Sequence, residues 1–252
     1  MIVQARMSSS RLPGKVMRRI AGRTILDYVL ARCSRVPGAD RVVCATVDAV
    51  DCDPIADEAR RLGVVVFRGS EMDVIERYRR AAEAVDADTI MRVTSDCPLI
   101  DPSVCGAVLR LRSQRGTDYA CNNMPPSWPH GLDCEAFTLE ALKRADAATS
   151  GEDREYPTRV MRSDLRWSKV SLQGPGSDWT NMRLTIDTPA DWAFFEALLP
   201  RLSDPVTATI AEIASIVRGD PALAKLVANE TLHHGLRRET STVPYTELLP
   251  AL

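Results

Sequence analysis

Short apolar segments with many β-branched residues alternate with amphipathic segments along much of the chain. The apolar segments predict β-strands at Ile2–Ala5, Arg41–Val47, Val64–Phe67, Thr89–Thr94 and Met182–Ile186. The amphipathic segments predict helices at Thr24–Arg35, Pro54–Leu62, Asp73–Val85, Pro102–Arg112 and Pro189–Leu199. This alternation is typical of a buried parallel sheet with helices on both faces. The sequence therefore predicts an α/β fold around a mostly parallel central sheet.

The region from about residue 118 to residue 178 interrupts this alternation. Prolines and asparagines fill positions 122–129, and a helix is predicted to restart over 151–162. We therefore predict a main domain over residues 1–202 that contains an inserted subregion at about 118–178. Residues 203–252 are predicted to form a C-terminal extension with helices at 205–218 and 220–230, followed by a polar tail.

Composition excludes several classes of protein. The chain carries 32 Lys and Arg against 34 Asp and Glu, a net charge of −2, which offers no general attraction to nucleic acids or anionic membranes. Its start is charged too early for a signal peptide, and no apolar run approaches the roughly 20 residues of a membrane span. The 7 cysteines lack a zinc-type spacing, so we expect mostly reduced thiols in the core. We expect a cytoplasmic protein without nucleic-acid or membrane partners.

A cationic loop follows the first predicted strand, where ligands of open α/β sheets bind. Residues 6–15 read RMSSSRLPGK and supply three cations and three hydroxyls, which suit a polyphosphate. The loop is not a Walker A motif, because Ser9 and Val16 stand where that motif requires Gly and Ser or Thr. The alternative interpretation is a solvated basic loop.

Two carboxylates also follow predicted strands. Asp96 comes after Thr89–Thr94, and Asp187 comes after Met182–Ile186. Two carboxylates beside a phosphate-binding loop are the protein ligands that Mg²⁺ prefers. Asp187 could equally be the N-cap of the next helix.

Two further polar clusters, residues 68–78 and 129–135, could each line a pocket. In the first, the alternative is a capped surface helix in which Asp73 and Arg77 pair at i, i+4. In the second, the alternative is a turn at Gly131 that leaves Asp133 and Glu135 on one face of an ordinary strand. No sequence pattern indicates a histidine-based triad or a cysteine nucleophile.

Five ordered motifs carry a resemblance to a known family: QARMSSSRLPGK, RGSEMDVIERY, RVTSDCPLIDP, HGLDCE and RLTIDTPADW. Over roughly residues 1–235 the chain resembles cytidylyltransferases of the spore coat polysaccharide biosynthesis protein F type. It is more distantly similar to the synthetases that make CMP-conjugates of 3-deoxy-manno-octulosonate and sialic acids.

The resemblance implies a Rossmann-like nucleotide-diphospho-sugar transferase fold for residues 1–202, with CTP, Mg²⁺, an anionic acceptor and a homodimer. The implied metal ligands are Asp96 and Asp187, which also count as catalytic together with Arg11 and Lys15. The implied CTP-binding residues are Gln4, Ala5, Arg6, Ser8, Arg11, Lys15, Thr46 and Arg77. Asp133 and Glu135 are implied to face the acceptor, and the subregion at 118–178, with Trp128, Trp167 and Trp179, is expected to supply acceptor and dimer contacts.

The chain departs from the family pattern at residues 154–158, which read REYPT where relatives have Arg-Glu-His followed by Val-Thr-Pro. We therefore transfer no acceptor identity. The functional hypothesis is transfer of CMP from CTP to an acidic sugar or related anion, with release of pyrophosphate. One alternative is a metal-dependent glycosyltransferase, which needs a metal-binding Asp-x-Asp at a strand end. Asp51 and Asp53 have that spacing, but they follow Val47 in a loop that leads into a helix, and the resemblance implies no metal there. Another alternative is a non-catalytic nucleotide-binding protein.

Overall fold

The structure is a computed structural model that describes residues 1–175, 177–227 and 242–244. The strands are β1 (Ile2–Ala5), β2 (Arg19–Ile20), β3 (Arg23–Thr24), β4 (Val43–Val47), β5 (Val65–Gly69), β6 (Thr89–Thr94), β7 (Tyr119–Cys121), β8 (Glu135–Thr138), β9 (Lys169–Gln173) and β10 (Thr242–Pro244). Eight of them form one sheet in the order β10-β9-β7-β8-β6-β1-β4-β5, and β2 pairs with β3 in a separate hairpin.

All neighbouring strands of the large sheet are parallel except β8, which runs antiparallel to both β6 and β7. The start of β8 therefore lies beside the end of β6. This places residues that precede β8 at the same edge of the sheet as residues that follow β6.

The helices are α1 (Ile25–Cys33), α2 (Asp53–Arg61), α3 (Val74–Glu83), α4 (Pro102–Arg115), α5 (Leu139–Ala148), α6 (Arg159–Ser163), α7 (Ser177–Thr180), α8 (Pro189–Leu198), α9 (Ile210–Gly219) and α10 (Pro221–Val227). Side-chain oxygens cap several of them: Thr24, Asp73, Asp101 and Thr188 accept hydrogen bonds from the first turns of α1, α3, α4 and α8. Such caps satisfy backbone N–H groups that have no partner within the helix. No helix among the described residues has the length and apolar character needed to cross a membrane.

Apolar side chains cover both faces of the sheet. Because successive side chains of a strand point to opposite faces, they fall into two clusters. Along β1, Val3 packs in a cluster with residues of α1, α4 and α8, whereas Ile2 packs in a second cluster with residues of α3 and α5. The result is a layer of helices on each side of one sheet. All seven cysteines are buried and free, which confirms the expectation of core thiols.

Four of the five predicted strands are confirmed, and β1 and β6 have the predicted bounds. The strand predicted at Met182–Ile186 is wrong. That segment is buried, but it makes only an isolated bridge, Arg183 to His130, and its remaining backbone contacts include a hydrogen bond from Ile186 N to Asp96 O (2.9 Å). Its apolar character reflects burial beneath the loop before β8, not pairing in the sheet.

The region from 118 to 178 contributes β7, β8 and β9 to the main sheet. Trp128 and Trp167 are each 3% exposed and pack in the two core clusters, and Trp179 packs against the first. The tryptophan-based argument for a dimer face is therefore wrong for Trp128 and Trp167, because neither presents a surface to a partner.

Arg32 on α1 holds the C-terminal extension against the main domain. Its guanidinium is fully buried and donates from Nε to Ile100 O (2.6 Å), from Nη1 to Pro205 O (2.8 Å) and from Nη2 to Ala208 O (2.9 Å). Asp101, which caps α4, also accepts from Ile210 N at the start of α9 (3.1 Å). The helices predicted at 205–218 and 220–230 correspond to α9 and α10, and residues 228–230 lie outside the described residues.

We expect Arg32→Met to lower the free energy of unfolding by about 2–3 kcal/mol, because three carbonyl oxygens lose a donor worth about 1 kcal/mol each. Urea denaturation measures the difference. The control is Arg35→Met, a change at an exposed position of the same segment, for which we expect about 0.5 kcal/mol or less. Equal stability of the two variants would show that Arg32 does not hold the extension.

Candidate active site

The loop after β1 turns Lys15 into the protein. Gly14 has φ of 67°, in the left-handed region that favours glycine, and its N–H donates to Met7 O (3.2 Å). Lys15 then starts a short 3₁₀ turn, Lys15–Met17, and its side chain is only 11% exposed.

The Lys15 ammonium lies between the two carboxylates that the sequence predicts as metal ligands. Nζ donates to Asp96 Oδ2 (2.9 Å), to Asp187 Oδ1 (2.8 Å) and to the carbonyl oxygen of Ile186 (2.6 Å). Arg11, whose side chain is 60% exposed, reaches the other Asp187 oxygen at 3.3 Å. The structure thus brings together all four residues predicted to be catalytic.

The opposite charges of Lys15 and Asp96 shift the pKa of each group in favour of its charged form. Burial alone would raise the pKa of Asp96, but the charge of Lys15 and hydrogen bonds from Thr94 and Lys15 hold that pKa below its usual value. Burial alone would lower the pKa of Lys15, yet Asp96 and Asp187 raise it. Lys15 and Asp96 therefore form a charged pair at neutral pH.

Asp187 is fixed from behind by a buried arginine. Arg183 donates from Nη2 to Asp187 Oδ2 (3.0 Å) and from Nε to Asp191 Oδ1 (2.7 Å). Asp191 in turn accepts from the backbone N–H groups of Asp187 and Thr188 and forms a capping box with Thr188 at the start of α8. The alternative interpretation of Asp187 as an N-cap is wrong, since Thr188 takes that role and leaves the Asp187 carboxylate for the site.

The donor set fits Mg²⁺. Two carboxylates and a carbonyl oxygen converge within 3 Å of the Lys15 ammonium nitrogen, so these oxygens already surround one positive charge. Hard oxygen donors of this kind are the ligands that Mg²⁺ selects, with phosphate oxygens and water completing its shell. Asp96 and Asp187 are the residues that would hold it.

The predicted nucleotide-binding residues include buried polar atoms that have no hydrogen-bond partner among the described residues. They are Gln4 Oε1, Thr46 Oγ1 and Arg77 Nε. Gln4 and Thr46 lie near the carboxyl ends of the adjacent strands β1 and β4, and Arg77, on α3, is 2% exposed. Burying such atoms unpaired costs free energy, so a ligand that bonds them would gain it back. The Ala5 side chain is buried in the core.

The remaining residues predicted for the triphosphate lie on the exposed face of the opening loop. Arg6 pairs with Glu155 (3.2 Å), and Ser8 donates to Glu71. The Arg6 side chain is 43% exposed, so its ion pair with Glu155 contributes little free energy and can be replaced by a contact with a phosphate.

A cavity of about 660 Å³ opens beside the acidic pair. It is lined by Arg92, Thr94, Asp96, Cys97, Asn123, Pro126, His130, Asp133, Glu135, Tyr156, Pro157, Thr158, Arg159, Arg162, Thr185 and Asp187. Both residues predicted to face the acceptor are among them. A small sugar acid fits a cavity of this size.

Glu135, which is buried, is the centre of a cluster of partly buried arginines in the wall of this cavity. It is paired across the strands with Arg92 (Nη1 to Oε2, 2.5 Å) and with Arg162 on α6 (Nη1 to Oε1, 3.0 Å). Tyr119 and Thr158 also donate to Oε1. Burial alone would raise the pKa of Glu135, but the two arginines and these hydrogen bonds lower it to about 2. Glu135 therefore holds the guanidinium groups of Arg92 and Arg162 in place in the cavity wall.

Asp133 is held by three donors. Its oxygens accept from His130 Nδ1 (2.8 Å), Gly131 N (2.9 Å) and Asn123 Nδ2 (2.8 Å), and the Asn123 oxygen accepts from Arg162. Burial alone would raise the pKa of Asp133, but the hydrogen bond and charge of His130 hold it far below its usual value. The same pairing outweighs burial and raises the pKa of His130.

Comparison with known proteins identifies the family. The sequence profile of the cytidylyltransferase family matches residues 1–158. The chain belongs to this family. It is a CTP-dependent nucleotidyltransferase.

The cytidylyltransferase is 30% identical over 229 residues to a spore coat polysaccharide biosynthesis protein of Bacillus subtilis, with 88% of this chain and 95% of that protein covered. It is 36% identical over 125 residues to a 3-deoxy-manno-octulosonate cytidylyltransferase of a Chelativorans species, which covers 47% of this chain and 48% of that protein. Its fold matches the structure of a cytidylyltransferase from Leptospira borgpetersenii with a TM-score of 0.84 and 29% identity, over 92% of this chain and 98% of that one. The predicted family and Rossmann-like fold are confirmed.

Several site residues of the cytidylyltransferase escape sequence reasoning. They are Arg92, Arg162, Asn123 and Arg183, whereas His130 belongs to the predicted polar cluster 129–135 and lines the cavity as expected. Arg92 lies inside a strand and Arg162 on a short helix, so neither follows the end of a strand as the predicted ligands do. The one signal that could have found Arg92 was a charged residue inside an apolar strand, which requires a buried partner.

Two alternative interpretations can be compared with the structure of the cytidylyltransferase. The predicted cap at Asp73 is confirmed, because its side chain caps α3, but the i, i+4 pair is wrong: Asp73 pairs with Arg154 (2.7 Å), and Arg77 donates to Ser70 O. Neither residue of the Asp-x-Asp pair lines the acceptor cavity, and Asp53 pairs with Arg68 (2.5 Å). The position of that pair offers no support for a glycosyltransferase metal site.

We expect Gly131→Ala to destabilise the cytidylyltransferase by about 2 kcal/mol. Gly131 has φ of +106°, and a Cβ there would lie 2.2 Å from the carbonyl oxygen of Leu184, so the loop would separate from the Met182–Ile186 segment. Thermal or urea unfolding measures the change. Gly151→Ala is the matched control, because Gly151 also has positive φ (+62°) but no atom within 4 Å of the added Cβ. Equal losses would show that the clash relaxes without cost.

Proposed function

We propose that the chain transfers CMP from CTP to a small anionic acceptor, an acidic sugar or a related acid, and releases pyrophosphate. The observation that carries this proposal is one cavity that has an acidic pair at one side and an arginine cluster at the other. The name of the Bacillus subtilis relative favours a role in surface polysaccharide biosynthesis.

The arginine cluster supports an anionic acceptor. Arg162 uses Nη1 for Glu135, Tyr119 and Asn123, and within the described residues its Nε and Nη2 make no hydrogen bond. A guanidinium fixed on one side presents its other N–H groups in the geometry that binds a carboxylate or phosphate. Arg159, one turn earlier on α6, adds a second cation to the cavity wall.

The spacing along β6 supports transfer between two sites. Arg92 and Asp96 are four residues apart, on the order of 10 Å for extended chain. An acceptor bound to the arginine cluster through its acidic group would therefore place a hydroxyl near Asp96 and Asp187. The nucleotide would lie over β1 and β4, with Gln4, Thr46 and Arg77 contacting base or ribose and Arg6, Ser8 and Arg11 contacting the triphosphate.

In the proposed reaction an acceptor oxygen attacks the α-phosphorus, the bond from that phosphorus to the bridging oxygen breaks, and pyrophosphate leaves. The acceptor hydroxyl proton passes to water. When bound, Mg²⁺ would withdraw charge from the phosphate oxygens and so favour attack. Arg11 balances the charge that grows on the leaving pyrophosphate.

We further propose that the enzyme acts as a homodimer, which light scattering would test.

The test is pyrophosphate release with each of the four nucleoside triphosphates, with Mg²⁺ or EDTA, against a panel of acidic sugars, sugar phosphates and phosphonates. We expect metal-dependent release with CTP and one anionic acceptor. Release with a neutral sugar, or none with any anion while CTP binds by calorimetry, would contradict the proposal.

With that acceptor, we expect Arg162→Lys to raise its KM by about 10-fold or more and to leave the KM for CTP within about twofold. The lysine keeps a charge beside Glu135 but loses the planar pair of donors. Steady-state kinetics measure both constants. Arg60→Met is the control, since Arg60 is 57% exposed and pairs with Asp57 on the same helix. Equal changes in both KM values would assign Arg162 a general structural role instead.

A further inference from the structure

We infer that Lys15 occupies, in the nucleotide-free enzyme, the cation position between Asp96 and Asp187, and that it keeps free divalent metal out until the nucleotide binds. The observation is the geometry around Nζ. Two carboxylate oxygens and one carbonyl oxygen lie within 2.6–2.9 Å of it. An ammonium has three N–H donors, and all three are used by these oxygens.

This geometry leaves Lys15 no donor for a phosphate. The family resemblance implies that Lys15 contacts the triphosphate, so its ammonium must move away from Asp96 and Asp187 before it can do so. Its side chain is 11% exposed, whereas that of Arg11 is 60% exposed. Arg11 is therefore ready to meet a phosphate in this state, and Lys15 is not.

A divalent cation and the ammonium cannot share the position. Both draw on the Asp96 and Asp187 carboxylates, and two like charges within about 4 Å repel strongly in a partly buried site. Arg183 and Arg11 already contact the second oxygen of Asp187, which weakens the pull of that carboxylate on any further cation. Metal alone must therefore displace Lys15 without compensation.

A nucleotide supplies the compensation. Triphosphate oxygens offer Lys15 new acceptors and add negative charge, so the ammonium can leave the carboxylates as the metal enters with the nucleotide. Lys15 thus couples metal binding to nucleotide binding. The exchange prevents a metal-loaded site from forming before the substrate is present.

The inference rests on Asp96 and Asp187 being the metal ligands of the proposed function. Its test uses metal alone on nucleotide-free protein and needs neither acceptor nor turnover. A failed acceptor panel would leave it standing, and its own failure would leave the proposed CMP transfer standing.

The experiment is a titration of nucleotide-free protein with Mn²⁺, with free Mn²⁺ followed by electron paramagnetic resonance. We expect Lys15→Met to bind one Mn²⁺ at least about 10-fold more tightly than the wild type. Lys15→Gln, which is also uncharged and can still donate to one carboxylate, should show the same gain and serves if Lys15→Met does not fold. Circular dichroism and thermal unfolding verify the fold of each variant.

Two matched variants test whether the gain in Mn²⁺ affinity comes from the lost charge of Lys15 and needs the Asp187 carboxylate. Lys15→Arg keeps a cation and should bind Mn²⁺ within about threefold of the wild type. Lys15→Met/Asp187→Asn should lose the gained affinity. Folded Lys15→Met and Lys15→Gln that bind Mn²⁺ no more tightly than the wild type would overturn the inference, as would a gain that persists without the Asp187 carboxylate.

Discussion

Asp96→Asn is expected to lower kcat for pyrophosphate release by about 10²- to 10³-fold. The amide removes one of the two negative charges that the site offers to a cation, and it leaves Lys15 at most a neutral oxygen in place of the carboxylate that it now contacts at 2.9 Å. The rate is measured with CTP, Mg²⁺ and the acceptor that the substrate panel identifies. Because the loss concerns the charge that forms during the reaction, kcat should fall by more than the affinity for CTP.

The matched control for Asp96→Asn is Asp57→Asn. Asp57 lies on α2, its side chain is 73% exposed, and its partner within the described part of the chain is Arg60. This control should keep wild-type turnover. Turnover of Asp96→Asn within twofold of the wild type would remove Asp96 from the catalytic residues.

Glu135→Gln is expected to lower the free energy of unfolding by about 3 kcal/mol at pH 7, because it leaves the guanidinium groups of Arg92 and Arg162, whose side chains are 23% and 11% exposed, without their counter-charge. Glu135 is 3% exposed, and Arg92 and Arg162 both contact it. Urea denaturation measures the loss. The control is Glu140→Gln, at an exposed position on α5, for which we expect about 0.5 kcal/mol or less.

The same variant makes a prediction about pH. The pKa of Glu135 is lowered from 4.5 to about 2 in the folded protein. A carboxyl with a lowered folded-state pKa stabilises the fold fully above its unfolded pKa, and this contribution is lost as the pH falls through the folded pKa. The stability difference between the wild type and Glu135→Gln should therefore be constant above about pH 5 and shrink from pH 5 towards pH 2. A difference that does not change with pH would mean that Glu135 is not ionised in the fold.

The sequence predicts the central strands well because each is a short apolar segment with polar residues at its ends. Thr89–Thr94 is flanked by polar residues, and its predicted and observed bounds agree. Met182–Ile186 has the same apolar character and is not a strand. Hydrophobicity indicates burial, and only the backbone partners decide whether a buried extended segment joins a sheet.

The acidic pair and the cationic loop are predictable because they follow strand ends. The arginine cluster is not, because Arg92, Glu135 and Arg162 are 43 and 27 residues apart along the chain and meet only through strand order. Since β8 runs antiparallel to its neighbours, Asp133 comes before its strand and not after it. A rule that inspects the ends of parallel strands finds Asp96 and cannot indicate which basic residues face it.

The anchoring of the C-terminal extension by Arg32 has a practical consequence. Ile100, one of its three carbonyl partners, lies four residues after Asp96, and the other two partners, Pro205 and Ala208, lie beyond residue 202. A protein shortened to residues 1–202 would lack two of the three carbonyl partners of the Arg32 guanidinium, close to the loop that carries Asp96. Inactivity of such a fragment in a substrate screen would then report a loosened carboxylate loop and not a wrong substrate, so screening should use the full chain.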